Sequence, residues 1–123
     1  MADYDLTTPE GVVEAYVDCT WRADTETLSK LFHPRAVMAG DLPGQHIFGG
    51  PEPFFADLAS RPSMASQDID YRHVIERMEV HGNTASITLS EENFFGEGRF
   101  VNFLNLVKEG DGWKIAAKIF TYK

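Results

Sequence analysis

The sequence predicts an α+β domain, with about three N-terminal helices packed on one face of a curved antiparallel sheet. Helical periodicity comes first along the chain and strand alternation last, an order that segregates helices from an antiparallel meander. Residues 99–123, RFVNFLNLVKEGDGWKIAAKIFTYK, are two apolar runs around the turn Glu109-Gly110-Asp111-Gly112, which reads as a β-hairpin. Alternation puts Phe100, Asn102, Leu104 and Leu106 on one face of its first strand and Val101, Phe103, Asn105 and Val107 on the other. Both faces are largely apolar, so the hairpin belongs near the centre of the sheet with something covering each side.

The elements follow in order. Thr8-Pro9-Glu10 starts a helix, with Thr8 as cap, Pro9 in the first turn and Glu10 at the positive end of the dipole. Val12, Val13, Tyr16, Val17, Thr20 and Trp21 recur at helical spacing, giving an amphipathic helix over residues 9–22. Asp24 caps a shorter second helix with Leu28, Leu31 and Phe32 on its apolar side, which Pro34 should end. Residues 36–39 form a short strand, Pro43 and Gly44 a turn, and residues 46–48 the return strand. Gly49-Gly50-Pro51-Glu52 opens a third helical segment, with Phe54, Phe55 and Leu58 facing the core, that Arg61-Pro62 breaks. A polar loop over residues 60–68 precedes a strand over residues 69–80, in which Val74, Met78 and Val80 share one parity and Tyr71, His73 and Ile75 the other. After the His81-Gly82-Asn83 turn, Ala85, Ile87 and Leu89 point inward from a half-exposed strand. Residues 93–98 form a loop or bulged connection to the closing hairpin.

At 123 residues the chain is a single domain over residues 1–123, large enough to bury about two thirds of the surface an unfolded chain exposes. Its net charge of −8, from 19 acidic and 11 basic side chains, repels phosphate backbones and anionic membranes, so neither nucleic acid nor a membrane surface is an expected partner. A single cysteine, Cys19, has no internal partner for a disulfide, which fits a reducing compartment. The start MADYDLTTPE has neither a basic region nor an apolar core, and no apolar run approaches membrane-span length. The sequence thus predicts a cytoplasmic protein.

LFHPRAVMAG at residues 31–40, RMEVHGNTASITL at 77–89 and FVNFLNLVKEGDGWKIAAKIF at 100–120 occur in one order. With Tyr16 and Asp24 upstream, they make the chain resemble the nuclear transport factor 2-like superfamily, closest to its bacterial "putative lumazine-binding" branch. The likeness runs over residues 8–120. It implies a cystatin-like cone, in which helices close over a strongly bent sheet around a pocket. The superfamily includes isomerases, dehydratases, cyclases and plain binding modules, so the fold does not choose the chemistry. Where the branch usually carries Asp in an F-x-D-Y-L segment, this chain has Asn102, a neutral donor and acceptor. Lys118 matches the lysine usual after W-K-I.

The chain is also similar to ketosteroid isomerase from T-P-E through the first helix. That likeness puts Tyr16 at the oxyanion-binding tyrosine, Asp41 near the general base and Asn102 near the second oxyanion donor. A core tyrosine and an exposed turn aspartate are the competing readings of the first two. His73 shares its strand parity with Tyr71 and offers a proton-transfer group of the kind a dehydratase uses. The four histidines lack H-x-H or H-E-x-x-H spacing, so no metal is predicted, and no cofactor is predicted either. Tyr16, Trp21, Phe54, Tyr71, Phe100, Asn102, Lys118 and Phe120 are the expected pocket lining.

Three functions follow as expectations. The first is a binding module for a small, mostly apolar molecule, and the second a cofactor-independent lyase or isomerase using Tyr16 with Asp41, His73 or Asn102. The third is a structural dimerisation domain. In each case, the apolar outer face of the hairpin predicts a homodimer through that face.

Overall fold

A computed structural model describes residues 4–123. Helix α1 spans Pro9–Arg22; the Thr8 side chain accepts from the Gly11 N–H, and Ala23, in the left-handed region at φ 57°, closes the other end. Helix α2 spans Thr25–Leu31, capped by Asp24. Strands β1 (Phe32–Leu42) and β2 (Gln45–Gly49) form a hairpin, and α3 (Glu52–Ala59) follows. A short 3-10 turn at Ala65–Gln67 interrupts the expected polar loop, beside a fully buried Met64. Strands β3 (Arg72–His81), β4 (Thr84–Phe94), β5 (Gly98–Glu109) and β6 (Gly112–Tyr122) complete one six-stranded sheet in the order β2-β1-β6-β5-β4-β3.

The α+β class and the central closing hairpin follow the sequence, and the sheet itself is mixed. Four neighbouring pairs are antiparallel, but β1 runs parallel to β6. An antiparallel meander alone cannot place β1 there. Strand β2, helix α3 and the long β3–β5 segment intervene between the two strands, and a long connection allows either direction. The expected short strand at residues 36–39 is also longer, because β1 starts at Phe32 and runs through Pro34 in a stretch where pairing skips from Phe32 to Val37. Proline is tolerated where the ladder is interrupted.

Two register shifts reverse the side-chain parity within strands. On β3 the pairing steps from Ile75↔Leu89 to Arg77↔Thr88, passing over Glu76. His73, Ile75 and Met78 therefore share the inner face, whereas strict alternation grouped Met78 with the outward, exposed Val74. On β6 the register steps from Leu106↔Ile115 to Asn105↔Ala117, passing over Ala116, so Trp113, Ile115, Lys118 and Phe120 are all buried. Such bulges bend their strands. Helix α1 lies over this inner face: Val12, Val13, Tyr16 and Cys19 join Leu28, Leu58, Ile87, Leu89, Leu104 and Ile115 in one core cluster.

Candidate functional site

The core cluster surrounds a polar chain of five side chains. Lys118 Nζ, from β6, donates to Tyr16 Oη of α1 at 2.8 Å and to Asn102 Oδ1 of β5 at 2.5 Å. Asn102 Nδ2 donates to Glu91 Oε1 on β4, and the Tyr71 hydroxyl donates to Glu91 Oε2. Cross-strand register sets the central part: Asn102 lies opposite Phe120 and Leu89, with Lys118 and Glu91 on the same inner face. Tyr16, Glu91, Asn102 and Lys118 are all buried.

Beside this chain lies a cavity of about 220 Å³. Tyr16, Asp57, Glu91 and Lys118 contribute polar groups to its wall, and Phe54, Phe94, Phe100, Phe120, Met38, Leu42 and Ile47 give it an apolar surface. The ammonium of Lys118 sits 5.1 Å from the ring centres of Phe54 and Phe120 and 5.3 Å from that of Tyr16, within cation–π range of each. Phe94 is packed edge-on against Phe100 and is flanked by Asn93 and Phe95, both at positive φ. Gly40 is in register with Phe120, and a Cβ there would sit 2.0 Å from the Phe120 carbonyl oxygen. Only glycine permits β1 to approach that wall so closely.

Burial governs the ionisation of the polar chain. Desolvation brings Lys118 down to about 8, opposed by the attraction of Glu91. It pushes the Glu91 carboxyl up, against the pull of Lys118 and the Asn102 hydrogen bond, and it holds the Tyr16 phenol well above its usual value. The group is thus a reluctant cation and a reluctant anion linked by an amide. An ammonium has three donors, of which Lys118 uses two within the protein, so one remains for an acceptor in the cavity.

The expected site residues divide into three groups. Tyr16, Phe54, Phe100, Lys118 and Phe120 line the cavity, and Asn102 stands behind Lys118 as its acceptor. Trp21 and His73 lie instead in a second, more open cleft between α1 and β3, together with Tyr4, Glu14, Val17 and Asp18. There Trp21 Nε1 donates to the Ile69 carbonyl at 2.9 Å, and His73 Nε2 is 3.4 Å from Glu14 Oε1. Tyr71 lines that cleft with its ring and reaches Glu91 with its hydroxyl. Asp41 is in register with Thr121, on the outer face of the sheet, where His46 Nδ1 lies 2.5 Å from its carboxylate. Among the described residues, no three His, Cys, Asp or Glu side chains form a ligating cluster.

Glu91 is the one member of the polar chain absent from the expected site, and Met38, Leu42, Ile47, Asp57 and Phe94 of the cavity wall were not expected there either. The inward series Ala85, Ile87, Leu89, carried one step further along β4, reaches Glu91.

A family described as "Putative lumazine-binding" matches residues 6–121. The chain belongs to this family. Solved structures similar to it include a nuclear transport factor 2-like protein of unknown function from Silicibacter pomeroyi (22% identity, TM-score 0.82, covering 93% of this chain and 92% of that one). Another of unknown function, from Shewanella baltica, is 23% identical with a TM-score of 0.78, over 91% of this chain and 88% of that one. A ketosteroid isomerase-like protein from Erwinia carotovora atroseptica is 18% identical with a TM-score of 0.65, over 95% of each. At these identities the likeness establishes the nuclear transport factor 2-like fold that the family shares. No curated protein matches the chain.

Proposed function

We propose that the protein binds a small, mostly apolar molecule in the inner cavity and orients it by a single acceptor group on Lys118 and Tyr16. The observation that carries this reading is the convergence of those two side chains, 2.8 Å apart, on the wall of a largely apolar, aromatic-rich cavity. A dry cavity of about 150 Å³ takes benzene, so about 220 Å³ suits a substituted ring or a compact bicyclic molecule. The family name makes lumazine a natural probe, since it offers flat rings and carbonyl acceptors. Calorimetric titration with lumazine and with benzoate tests the reading: the wild type should bind at least one, and Lys118→Met should bind it about tenfold or more weakly. Equal binding by both proteins would refute it.

A second reading is cofactor-independent proton transfer of the isomerase or lyase kind. It is supported by Glu91, a carboxyl with a raised pKa on the wall that also carries Tyr16 and Lys118. In that reading Glu91 moves the proton, whereas Asp41 and His73 lie outside the cavity lining. Deuterium exchange into a bound cyclic ketone, followed by NMR, should be lost in Glu91→Gln; exchange at the wild-type rate in that variant would exclude the role.

We further propose a homodimer through the outer sheet face. Phe103 and Ile119 are cross-strand neighbours there, Val37 lies nearby on β1, and all three are exposed. Sedimentation velocity at micromolar concentration should show a species of twice 13.8 kDa that Phe103→Glu splits. A wild-type monomer throughout that range would overturn it.

A further inference from the structure

We propose that Lys118 is an imine-forming lysine, and that the molecules the cavity takes include small aromatic aldehydes and ketones held covalently on its side chain. The inference rests on the reading of the inner cavity as a ligand site and names the class of ligand. Of the five lysines, Lys118 is the one on the wall of this cavity; Lys30, Lys108, Lys114 and Lys123 lie outside its lining. Its Nζ is surrounded by the rings of Tyr16, Phe54 and Phe120, which would hold a flat carbonyl compound against the amine and limit the water that competes with condensation. Asn102 Oδ1 accepts one N–H of Nζ and thereby fixes the orientation of the nitrogen. Tyr16 Oη, 2.8 Å away, is close enough to exchange a proton with the nitrogen and with a carbonyl oxygen seated beside it.

The step balances without an oxidant or reductant. The neutral amine attacks the carbonyl carbon, a C–N bond forms, and the carbonyl oxygen takes the Tyr16 proton. The nitrogen returns a proton to the phenolate, giving a neutral carbinolamine. Loss of water then leaves the C=N bond, and the reverse sequence releases the ligand. Burial favours both partners in this exchange: it leaves a larger share of Lys118 as free amine at neutral pH than an exposed lysine has, and it keeps Tyr16 protonated.

The test treats the full chain at neutral pH with benzaldehyde and sodium cyanoborohydride, which reduces any imine to a stable benzylamine, and maps the modified peptides by mass spectrometry. Lys118 should be benzylated at least about tenfold faster than any of the other four lysines. Labelling of Lys118 at or below the rate of the exposed lysines overturns the proposal. Tyr16→Phe should slow Lys118 labelling by about tenfold or more, and an unchanged rate overturns the proton exchange through Tyr16. Benzoate, which cannot condense, separates the two levels of inference. If benzoate binds and Lys118 is not labelled, the imine is excluded and the ligand cavity stands. If benzoate does not bind and no label appears, both fall.

Discussion

Glu91 on the wall of the inner cavity and Glu14 at the lip of the α1–β3 cleft are both glutamates next to a partner side chain, yet the protein treats them in opposite ways. Glu91 is 4% exposed, and its two oxygens accept from Asn102 and Tyr71. The Glu14 side chain is 53% exposed and meets His73 at 3.4 Å across a surface cleft. Solvent screens the outer pair, so its contribution is small. Burial weakens that screening for Glu91, so an unmet hydrogen bond or charge there is costly. Depth of burial, rather than the presence of a partner side chain, therefore sets the behaviour of the two glutamates. Tyr71 touches both environments.

The sharpest way to break the contrast is Asn102→Leu, which removes the amide between the two buried charges. It should cost about 3 kcal/mol or more of unfolding free energy, because Lys118 loses an acceptor and Glu91 a donor while both stay buried. Urea denaturation measures this, and a loss below about 1 kcal/mol would mean the polar chain is not acting as a unit.

The next effect is a pH dependence set by the buried lysine. The Lys118 pKa falls from 10.5 in the unfolded chain to about 8 in the folded one, so between those values the unfolded state binds a proton that the folded state does not. Stability from this group accordingly rises with pH through that window, and its full cost is present below about 8. Cys19, raised to about 11, and Tyr4 and Tyr16, both raised by burial, work in the opposite direction at the alkaline end, so the comparison is with Lys118→Met, which retains all three. From pH 8 to 10.5 the wild type should gain urea midpoint relative to that variant; parallel curves would refute the buried cation.

Tyr71→Phe probes the link between the two regions. It leaves one Glu91 oxygen without its donor and should cost about 1–2 kcal/mol, with the Glu91 carboxyl, followed by carbon-13 NMR, titrating at higher pH. The smallest effect belongs to the cleft itself: Glu14→Gln should change stability by less than about 0.5 kcal/mol. A loss as large as that of Tyr71→Phe would show that the outer pair is shielded from water.

Much of the architecture was legible from local patterns. The Thr8-Pro9-Glu10 start and the helical spacing through Trp21 define α1, and the Gly110-Asp111 turn between apolar runs joins β5 to β6. The inward series Ala85, Ile87, Leu89 is buried as alternation requires, and its extension reaches Glu91. These features depend on near neighbours along the chain, where capping, turn geometry and a period of 2 or 3.6 act directly.

The parallel pairing of β1 with β6, by contrast, joins segments some eighty residues apart, and no local pattern encodes its direction. The bulges passing over Glu76 and Ala116 are equally silent in the sequence. On strict alternation from the buried Trp113 and Ile115, Lys118 would lie on the outer face; only the family resemblance pointed it inward. The amino-acid sequence by itself determined which segments become helices and strands, and most of the side chains that are buried. Only the tertiary structure decided that Lys118 turns inward to meet Tyr16, Asn102 and the neighbourhood of Glu91, because one extra residue in a strand reverses every side chain beyond it, and whether it is accommodated depends on the neighbouring strands.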